Sequence, residues 1–176
     1  MSSRHAQHGG SSDSIGILAL GLLTVSDTRH SGDDVSGSLL RELVSAAGHR
    51  VFAAAIVPDD VLRVREQVLG WALDPACDVI LSTGGTGLSA RDRTVEAVSE
   101  LFDVRIDGFG ELFRALSFET IGSRAMLSRA TAGVIGGTPV FLLPGSPDAV
   151  TLALTRLVLP EIAHVVGELR RHQSKG

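Results

Sequence analysis

Continuous apolar runs alternate along the chain with segments in which apolar residues recur every three or four positions. The runs predict strands buried on both faces, and the recurring spacing predicts helices. Three strands are predicted in the first half of the chain, over residues 15–25, 51–57 and 77–81. Three helices are predicted with them, over residues 36–47, from an N-cap at Asp59 or Asp60 to Asp74-Pro75, and over residues 94–102 with Thr94 as the N-cap.

The second half of the chain predicts a short helix over residues 110–118, a hairpin and a long C-terminal helix. Two apolar segments flank a turn sequence at residues 136–139, so one strand is expected to run antiparallel. Ser146 fits the N-cap of the last helix, and Pro147 fits its first position. Pro160 is expected to kink or restart that helix, because proline lacks the N–H that a helix interior needs.

Repeated strand–helix units predict an α/β fold, with a three-layer, doubly wound, mostly parallel sheet and one antiparallel strand. We expect one domain over residues 15–169, with polar tails over residues 1–14 and 170–176. Ligands of such sheets bind beyond the carboxyl ends of the strands. The loops that leave those ends cover residues 26–34, 58–60, 83–92 and 144–148.

Composition narrows the classes of partner for this chain of 176 residues. The net charge is −4 and no long basic run is present, so we expect no nucleic acid partner. The longest apolar run is too short to cross a bilayer, so we expect no membrane partner. Cys77 is the only cysteine, so no intrachain disulfide can form and a cytoplasmic setting is expected.

A glycine-rich loop, residues 82–92, lies between the third predicted strand and the third predicted helix. Its glycines and hydroxyl side chains predict a pocket of backbone N–H groups that suits a phosphate. Asp92 would repel such a phosphate, and a divalent metal between them would resolve the conflict. Two alternatives stay open. The glycines could serve only a tight turn, and Asp92 could pair with Arg91 or Arg93 or bond backbone N–H groups near the helix start.

Other acidic residues have simpler roles available. Asp59 and Asp60 precede a predicted helix, where capping is the favoured role. Asp27 ends a buried strand, and a loop carboxylate there is more often functional than one on a solvated helix face. Glu111 falls in a helical segment, where exposure to solvent is the default.

Six motifs stand out when the chain is taken as a whole. They are Thr24-Val25-Ser26-Asp27, Thr83-Gly84-Gly85-Thr86-Gly87, Arg91-Asp92-x-Thr94-x-Glu96-Ala97, Gly108-Phe109-Gly110-Glu111, Ser128-Arg129-Ala130-x-Ala132-Gly133 and Leu143-Pro144-Gly145-Ser146-Pro147. Together they resemble the MoaB/Mog family of molybdenum cofactor biosynthesis proteins, over about residues 15–159, and the segment after Glu111 looks closer to the MoaB branch. The chain departs from the common pattern where many relatives have proline, at Ala90, Val95 and Asp107.

The resemblance implies a doubly wound domain that assembles as a homotrimer, or as a hexamer of two trimers. It implies binding of molybdopterin, a pterin dithiolene with a terminal phosphate. It also implies use of Mg²⁺ with ATP to attach AMP to that phosphate, with release of pyrophosphate. Contact with other molybdenum cofactor enzymes is a further expectation.

The resemblance also assigns roles to individual residues. It makes Asp92 and Asp59 the catalytic and metal-holding residues. The substrate-binding residues that it implies are Ser26, Asp27, Thr83, Gly84, Gly85, Thr86, Gly87, Arg91, Glu111, Pro144, Gly145 and Ser146. One alternative function is a catalytically inactive molybdopterin carrier or assembly partner. A generic nucleotide hydrolase is disfavoured, since Leu88 stands where a P-loop needs lysine.

Overall fold

The computed structural model describes residues 16–28 and 32–173 and shows a six-stranded sheet with helices on both faces. The strands are β1 Ala19–Val25, β2 Arg50–Val57, β3 Val79–Thr83, β4 Val104–Arg105, β5 Thr131–Ile135 and β6 Thr138–Leu143. Their spatial order is β2-β1-β3-β6-β5-β4. The predicted tail over residues 1–14, Ile15 and the last three residues lie outside the described residues.

The predicted fold class is confirmed. β2, β1, β3 and β6 are parallel to one another, and β5 is antiparallel to both β6 and β4. The hairpin predicted at residues 136–139 joins β5 to β6. β3 runs to Thr83, two residues beyond the prediction, because Thr83 pairs with Thr24 and Leu143 on the neighbouring strands. The two-residue strand β4 was not predicted, since it is too short to give a period-two pattern.

Six α-helices in the described part of the chain complete the three layers. They are α1 Val35–Ala46, α2 Val61–Ala72, α3 Thr94–Ser99, α4 Asp107–Ile121, α5 Pro147–Ala153 and α6 Leu159–Gln173. A 3-10 segment, Gly122–Leu127, follows α4, and a π-helical turn, Leu154–Val158, joins α5 to α6. α4 is longer than the predicted helix over residues 110–118, and α3 ends at Ser99 rather than at residue 102.

The sheet separates two apolar clusters. One packs α1, α4, α5 and α6 against side chains such as Leu20 and Leu22 of β1, and the other packs α2 and α3 against Leu23. Alternate residues of a strand point to opposite faces, which explains this division. Gly21 lies beneath the Trp71 ring, and a Cβ there would come within 2.7 Å of a ring carbon. The ring can therefore pack flat on β1 only because residue 21 has no side chain.

The C-terminal helix begins as predicted, with Ser146 as N-cap and Pro147 at its first turn. The disturbance expected from Pro160 takes the form of the π-turn, in which the Leu159 N–H reaches back to the Leu154 carbonyl. Helix α6 then continues to Gln173, past the boundary predicted at residue 170. The whole run Pro147–Arg171 is long and apolar enough to span a membrane by length and composition alone. Its inner face packs in the core through Val150, Ala153, Leu154, Val158, Ile162 and Val166.

Candidate functional site

The loops at the carboxyl ends of the parallel strands meet at one rim of the sheet. The loop after β3 is tied to the loop after β6, because the Thr83 hydroxyl donates to the Pro144 carbonyl at 3.0 Å. The loop after β1 is tied to the loop after β2, since the Asp59 N–H donates to Asp27 Oδ1 at 3.0 Å. Ser36 at the start of α1 also donates to a carbonyl of the β6 loop. These bonds bring the predicted loops together at one rim of the sheet.

Two glycines of the loop after β3 adopt positive φ, +98° at Gly84 and +62° at Gly85. A Cβ on Gly84 would lie 2.2 Å from the Val25 carbonyl oxygen, and one on Gly85 would lie 2.0 Å from Thr94 Oγ1. Both positions need glycine for conformation and for space. The packing of the chain itself explains these glycines, so their number alone does not indicate a ligand.

The evidence for an anion-binding site comes instead from the backbone N–H groups of this loop. The Gly84 N–H donates to the Leu143 carbonyl at 3.2 Å and is therefore occupied. Within residues 16–28 and 32–173, the N–H groups of Gly85, Thr86 and Gly87 have no acceptor. Consecutive unpaired N–H groups in a turn with positive φ are typical of an anion-binding nest.

Asp92 folds back onto its own loop. Its Oδ2 accepts a hydrogen bond from the Ser89 N–H at 3.0 Å, and it would lie 2.6 Å from a Cβ on Gly87. Of the alternatives left open for this carboxylate, bonding to a backbone N–H is the one that the structure shows. The flanking Arg91 points elsewhere, with its Nη1 3.5 Å from Asp27 Oδ2.

Asp59 and Asp60 divide two tasks between them. Asp60 is the N-cap of α2, accepting from the N–H groups of Leu62 and Arg63 at 3.0 Å each. Asp59 instead reaches across to α3, where its Oδ1 accepts from the Arg93 N–H at 3.3 Å. The prediction that Thr94 caps α3 is wrong. Thr94 is the first helical residue, and the N-cap position is Arg93, which makes no side-chain capping bond.

The charge around Asp59 is unusual for a capping carboxylate. Burial raises the pKa of Asp59, and the carboxylates of Asp92 and Asp27 raise it further, while the Arg93 N–H and the Arg129 guanidinium oppose the shift. Three carboxylates therefore share the rim beside the unpaired N–H groups. A site with this mixture of donors and anions suits a phosphate ligand that arrives with a cation.

Arg129, just before β5, is the main residue of this region to which the sequence assigned no role. Its Nε donates to the Thr86 carbonyl at 3.1 Å and its Nη2 to the Asp92 carbonyl at 2.6 Å, while Nη1 pairs with Glu96. Burial acts to raise the pKa of Glu96, but a bond from its own N–H and the Arg129 guanidinium lower it overall. The available signal was its place in the motif Ser128-Arg129-Ala130-x-Ala132-Gly133, to which no role was attached.

A cavity of about 630 Å³ opens beside the rim, between α1 and strands β1 and β2. Thr24, Ser26, Asp27 and Asp34 line it on one side, and Arg41 of α1 adds a cation. Ser26 and Asp27 are the predicted site residues that reach this cavity, whereas the glycine loop does not line it. The volume is of the size that holds small organic ligands.

Similarity to known proteins assigns the family. Residues 21–164 match the family model described as "Probable molybdopterin binding domain". The chain is also 51% identical over 151 residues to molybdenum cofactor biosynthesis protein B of Bacillus cereus, which covers 85% of the chain and 89% of that protein. The chain belongs to this molybdopterin-binding family.

Solved structures agree with the assignment to the MoaB/Mog family. A crystal structure of a molybdenum cofactor biosynthesis protein B superimposes with a TM-score of 0.86 at 49% identity, covering 88% of the chain and 97% of that structure. The tungsten cofactor synthesizing protein MoaB from Pyrococcus furiosus gives a TM-score of 0.80 at 39% identity, covering 88% of the chain and 98% of that structure. The resemblance stated from the motifs, on the MoaB side of the family, is confirmed.

The residues implied by the MoaB/Mog resemblance do not all lie together. The rim holds Ser26, Asp27, Asp59, Arg91, Asp92, the segment 83–87 and the segment 144–146. Ser146 already caps α5, with its Oγ accepting from the Ala149 N–H at 3.4 Å. Glu111 is exposed on α4, and across the described part of the chain it forms no hydrogen bond or ion pair with these loops. Its substrate-binding role stays a prediction.

Proposed function

We propose that the chain acts in molybdenum cofactor biosynthesis by transferring AMP from ATP to the terminal phosphate of molybdopterin, with release of pyrophosphate. The observation that carries the proposal is the run of unpaired N–H groups at Gly85, Thr86 and Gly87, with Asp59 and Asp92 beside it. A hydrolase of peptides or esters needs no such combination. A reaction between two phosphate groups needs both a cradle for anions and a way to hold a cation.

The residues present fit Mg²⁺. Asp59 and Asp92 offer carboxylate oxygens, which Mg²⁺ prefers. Thr94 Oγ1 is buried near Asp59 Oδ2 and has no hydrogen-bond partner among the described residues. Over residues 16–28 and 32–173, no group of three or more His, Cys, Asp or Glu could hold a metal. This agrees with the usual mode of Mg²⁺ binding, through one or two carboxylates and the phosphates of a nucleotide.

The nucleophile in this reaction belongs to the substrate. A terminal phosphate oxygen of molybdopterin attacks the α-phosphorus of ATP, a new P–O bond forms, and the bond to the bridging oxygen breaks to release pyrophosphate. Gly85, Thr86 and Gly87 would hold phosphate oxygens through their N–H groups, and Asp59 and Asp92 would hold Mg²⁺. Held there, Mg²⁺ would supply positive charge to offset the charge that builds on the leaving pyrophosphate. The chain has to align two anions and supplies no serine or cysteine nucleophile.

Incubation of the purified protein with molybdopterin, ATP and Mg²⁺, followed by mass detection of the adenylylated pterin, tests the proposal. The wild type is expected to form the product, and Asp92→Asn is expected to form almost none while keeping its fold by circular dichroism. Asp60→Asn is the matched control, since Asp60 only caps α2, and it is expected to retain turnover. Wild-type binding of molybdopterin without any product would instead establish a carrier. Full turnover by Asp92→Asn would remove that carboxylate from the mechanism.

We further propose that copies of the chain assemble as a trimer or hexamer in the cytoplasm. Support comes from large apolar side chains that are exposed on α4 and the 3-10 segment after it, including Leu112, Phe118, Ile121, Met126 and Leu127. Exposed apolar surface of this kind marks interfaces. Sedimentation of Phe118→Glu against the control Leu62→Glu, an exposed leucine on α2, tests it. Dissociation is expected only for the first.

A further inference from the structure

The Arg129 guanidinium bonds three separate points of one loop. It donates hydrogen bonds to the carbonyl of Thr86 at 3.1 Å and to the carbonyl of Asp92 at 2.6 Å, and it pairs with the carboxylate of Glu96. These three residues span the whole connection from the end of β3 into the first turn of α3. Removal of the guanidinium would therefore leave this connection without its shared anchor.

The backbone around Arg129 is itself held in place by contacts with α4. The backbone on either side of it is bonded by Arg114 of α4, whose Nη1 donates to the Ser128 carbonyl at 3.5 Å and to the Ala130 carbonyl at 3.2 Å. Gly110 of α4 packs so closely on this segment that a Cβ would lie 2.6 Å from the Ala130 carbonyl oxygen. β5 begins at the next residue. The guanidinium is therefore fixed with respect to the sheet.

Fixing a carbonyl also fixes the N–H of the next residue, because the peptide unit is planar and the described chain has no cis peptide. The two groups of a trans peptide point in opposite directions. With the Thr86 carbonyl turned toward Arg129, the Gly87 N–H points away from it, as one of the unpaired groups of the anion nest. With the Asp92 carbonyl held in the same way, the Arg93 N–H points toward Asp59, to which it donates.

We propose that Arg129 is a positioning residue that orients both peptide planes, so that the Gly87 N–H faces the bound phosphate and the Arg93 N–H holds the Asp59 carboxylate in place. This role rests on the proposed AMP transfer and adds to it a residue that touches no substrate. Arginine suits the task because its planar fork offers five N–H donors in fixed directions, whereas lysine offers one flexible point charge. Glu96 completes the arrangement by holding the third side of the guanidinium.

Arg65 provides a matched control at the other end of α3. Its Nε donates to the Ala97 carbonyl at 2.9 Å and its Nη2 pairs with Glu100. It thus makes the same kinds of bond as Arg129, to a backbone carbonyl and to a glutamate of the same region, without touching the glycine loop. Arg65→Lys and Arg129→Lys should cost similar thermal stability if both arginines are merely structural.

The experiment measures hydrogen exchange and kinetics on the same samples of wild type, Arg129→Lys, Arg129→Ala and Arg65→Lys. For Arg129→Lys, exchange of the hydrogen-bonded amides of Ser89, Asp92 and Arg93 is expected to rise about 10-fold or more. The kcat for adenylylated pterin is expected to fall about 10- to 100-fold, with the KM for molybdopterin changed much less. Added guanidinium ion is expected to restore part of the kcat of Arg129→Ala. Arg65→Lys is expected to show neither change.

Each outcome decides the proposal. Unchanged exchange of those three loop amides in both Arg129 variants would overturn it, and so would a kcat for Arg129→Lys equal to that of Arg65→Lys. If Arg129→Ala fails to fold, Arg129→Lys alone still carries both comparisons. A wild type that forms no product would end the proposed function instead, and the exchange measurement would then still show whether Arg129 holds the loop.

Discussion

The backbone N–H of Arg93 donates to Asp59 Oδ1 at 3.3 Å, which joins the loop after β2 to the start of α3. Helix α3 has no side-chain cap of its own, so this carboxylate from another loop takes that place. The same carboxylate lies near Asp92 and Asp27, which raise its pKa. Ionised Asp59 therefore stabilises the start of α3, but it also adds a negative charge beside two other carboxylates. The first effect favours the folded state and the second disfavours it.

These opposing effects of the Asp59 charge predict that Asp59→Asn changes stability by an amount that depends on pH. Burial, with Asp92 and Asp27, raises the pKa of Asp59 above its ordinary value of 3.8. Ionised Asp59 is then less favourable in the folded than in the unfolded chain, so wild-type stability falls as the pH rises from below that value through the folded pKa. Asparagine carries no charge and still accepts from the Arg93 N–H. Near neutral pH, we expect the melting temperature of Asp59→Asn to equal or exceed that of the wild type. Any such advantage should disappear at about pH 3.5, where Asp59 is largely protonated in both states.

Thermal unfolding of both proteins across that pH range checks this expectation. A Tm loss for Asp59→Asn that is the same at every pH would contradict it. AMP transfer by the same variant should fall sharply, because a neutral amide oxygen binds Mg²⁺ much more weakly than a carboxylate does.

Gly85→Ala should destabilise the fold and remove activity together. The added Cβ would lie 2.0 Å from Thr94 Oγ1 and the backbone has φ +62°, so both space and conformation oppose it. We expect a loss of about 1–3 kcal/mol in the free energy of unfolding. Gly70→Ala is the matched control, because it lies in α2 with nothing within 4 Å of the added carbon. It should stabilise by about 0.5–1 kcal/mol, as measured by urea titration. Equal effects of the two substitutions would refute the packing argument.

Asp34→Ala should cost more than the loss of an ordinary cap. Asp34 Oδ1 accepts from the Gly37 N–H at 3.0 Å as the N-cap of α1, and Oδ2 accepts from the buried Thr24 hydroxyl at 2.6 Å. Loss of the cap costs about 1 kcal/mol, and the orphaned hydroxyl adds about 1–3 kcal/mol. Asp60→Ala removes the exposed cap of α2 alone and should show only the first cost. Chemical denaturation of the two variants compares them directly, and a smaller loss for Asp34→Ala would be inconsistent with this account.

Cys77 should react slowly with thiol reagents while the protein is folded. Burial raises the pKa of its thiol to about 11, and the S–H donates to the Val79 carbonyl at 3.5 Å. Little thiolate exists at neutral pH under these conditions, and the thiolate is the reactive form. Labelling with iodoacetamide should become complete only when denaturant unfolds the chain. Rapid labelling under native conditions would show that the thiol is accessible.

The parts of the fold that local sequence determines were predicted well. The alternation of buried strands and amphipathic helices gave the sheet class, and the glycine–proline turn at residues 136–139 gave the antiparallel strand. The ends of elements were predicted less well, since pairing with neighbours extends β3 to Thr83 and a distant carboxylate caps α3. Such effects depend on contacts between remote segments and leave no local pattern.

The candidate site shows the same limit. The glycine loop and its acids were recognised because they follow a strand, which is where ligands of parallel sheets bind. Arg129 was noted only as part of a motif, and its position before a strand gave no hint that it lies at this rim. β5 runs antiparallel, so Thr131 at its start pairs with Leu142 near the carboxyl end of β6. The residue that enters β5 thus arrives at the same rim that the other strands leave, and only the pairing of the strands reveals this.

The π-turn at Leu154–Val158 sets the phase of everything beyond it. Its Leu159 N–H reaches back five residues to Leu154, so the turn accommodates one residue more than an α-helix would. Winding the same residues as a regular α-helix, without the wider turn, would rotate the rest of α6 by about 100° about its axis. Ile162 and Val166 would then swing out of the core, and Arg170 would leave Asp78. The apparent irregularity is therefore what keeps the end of the helix in register with the sheet.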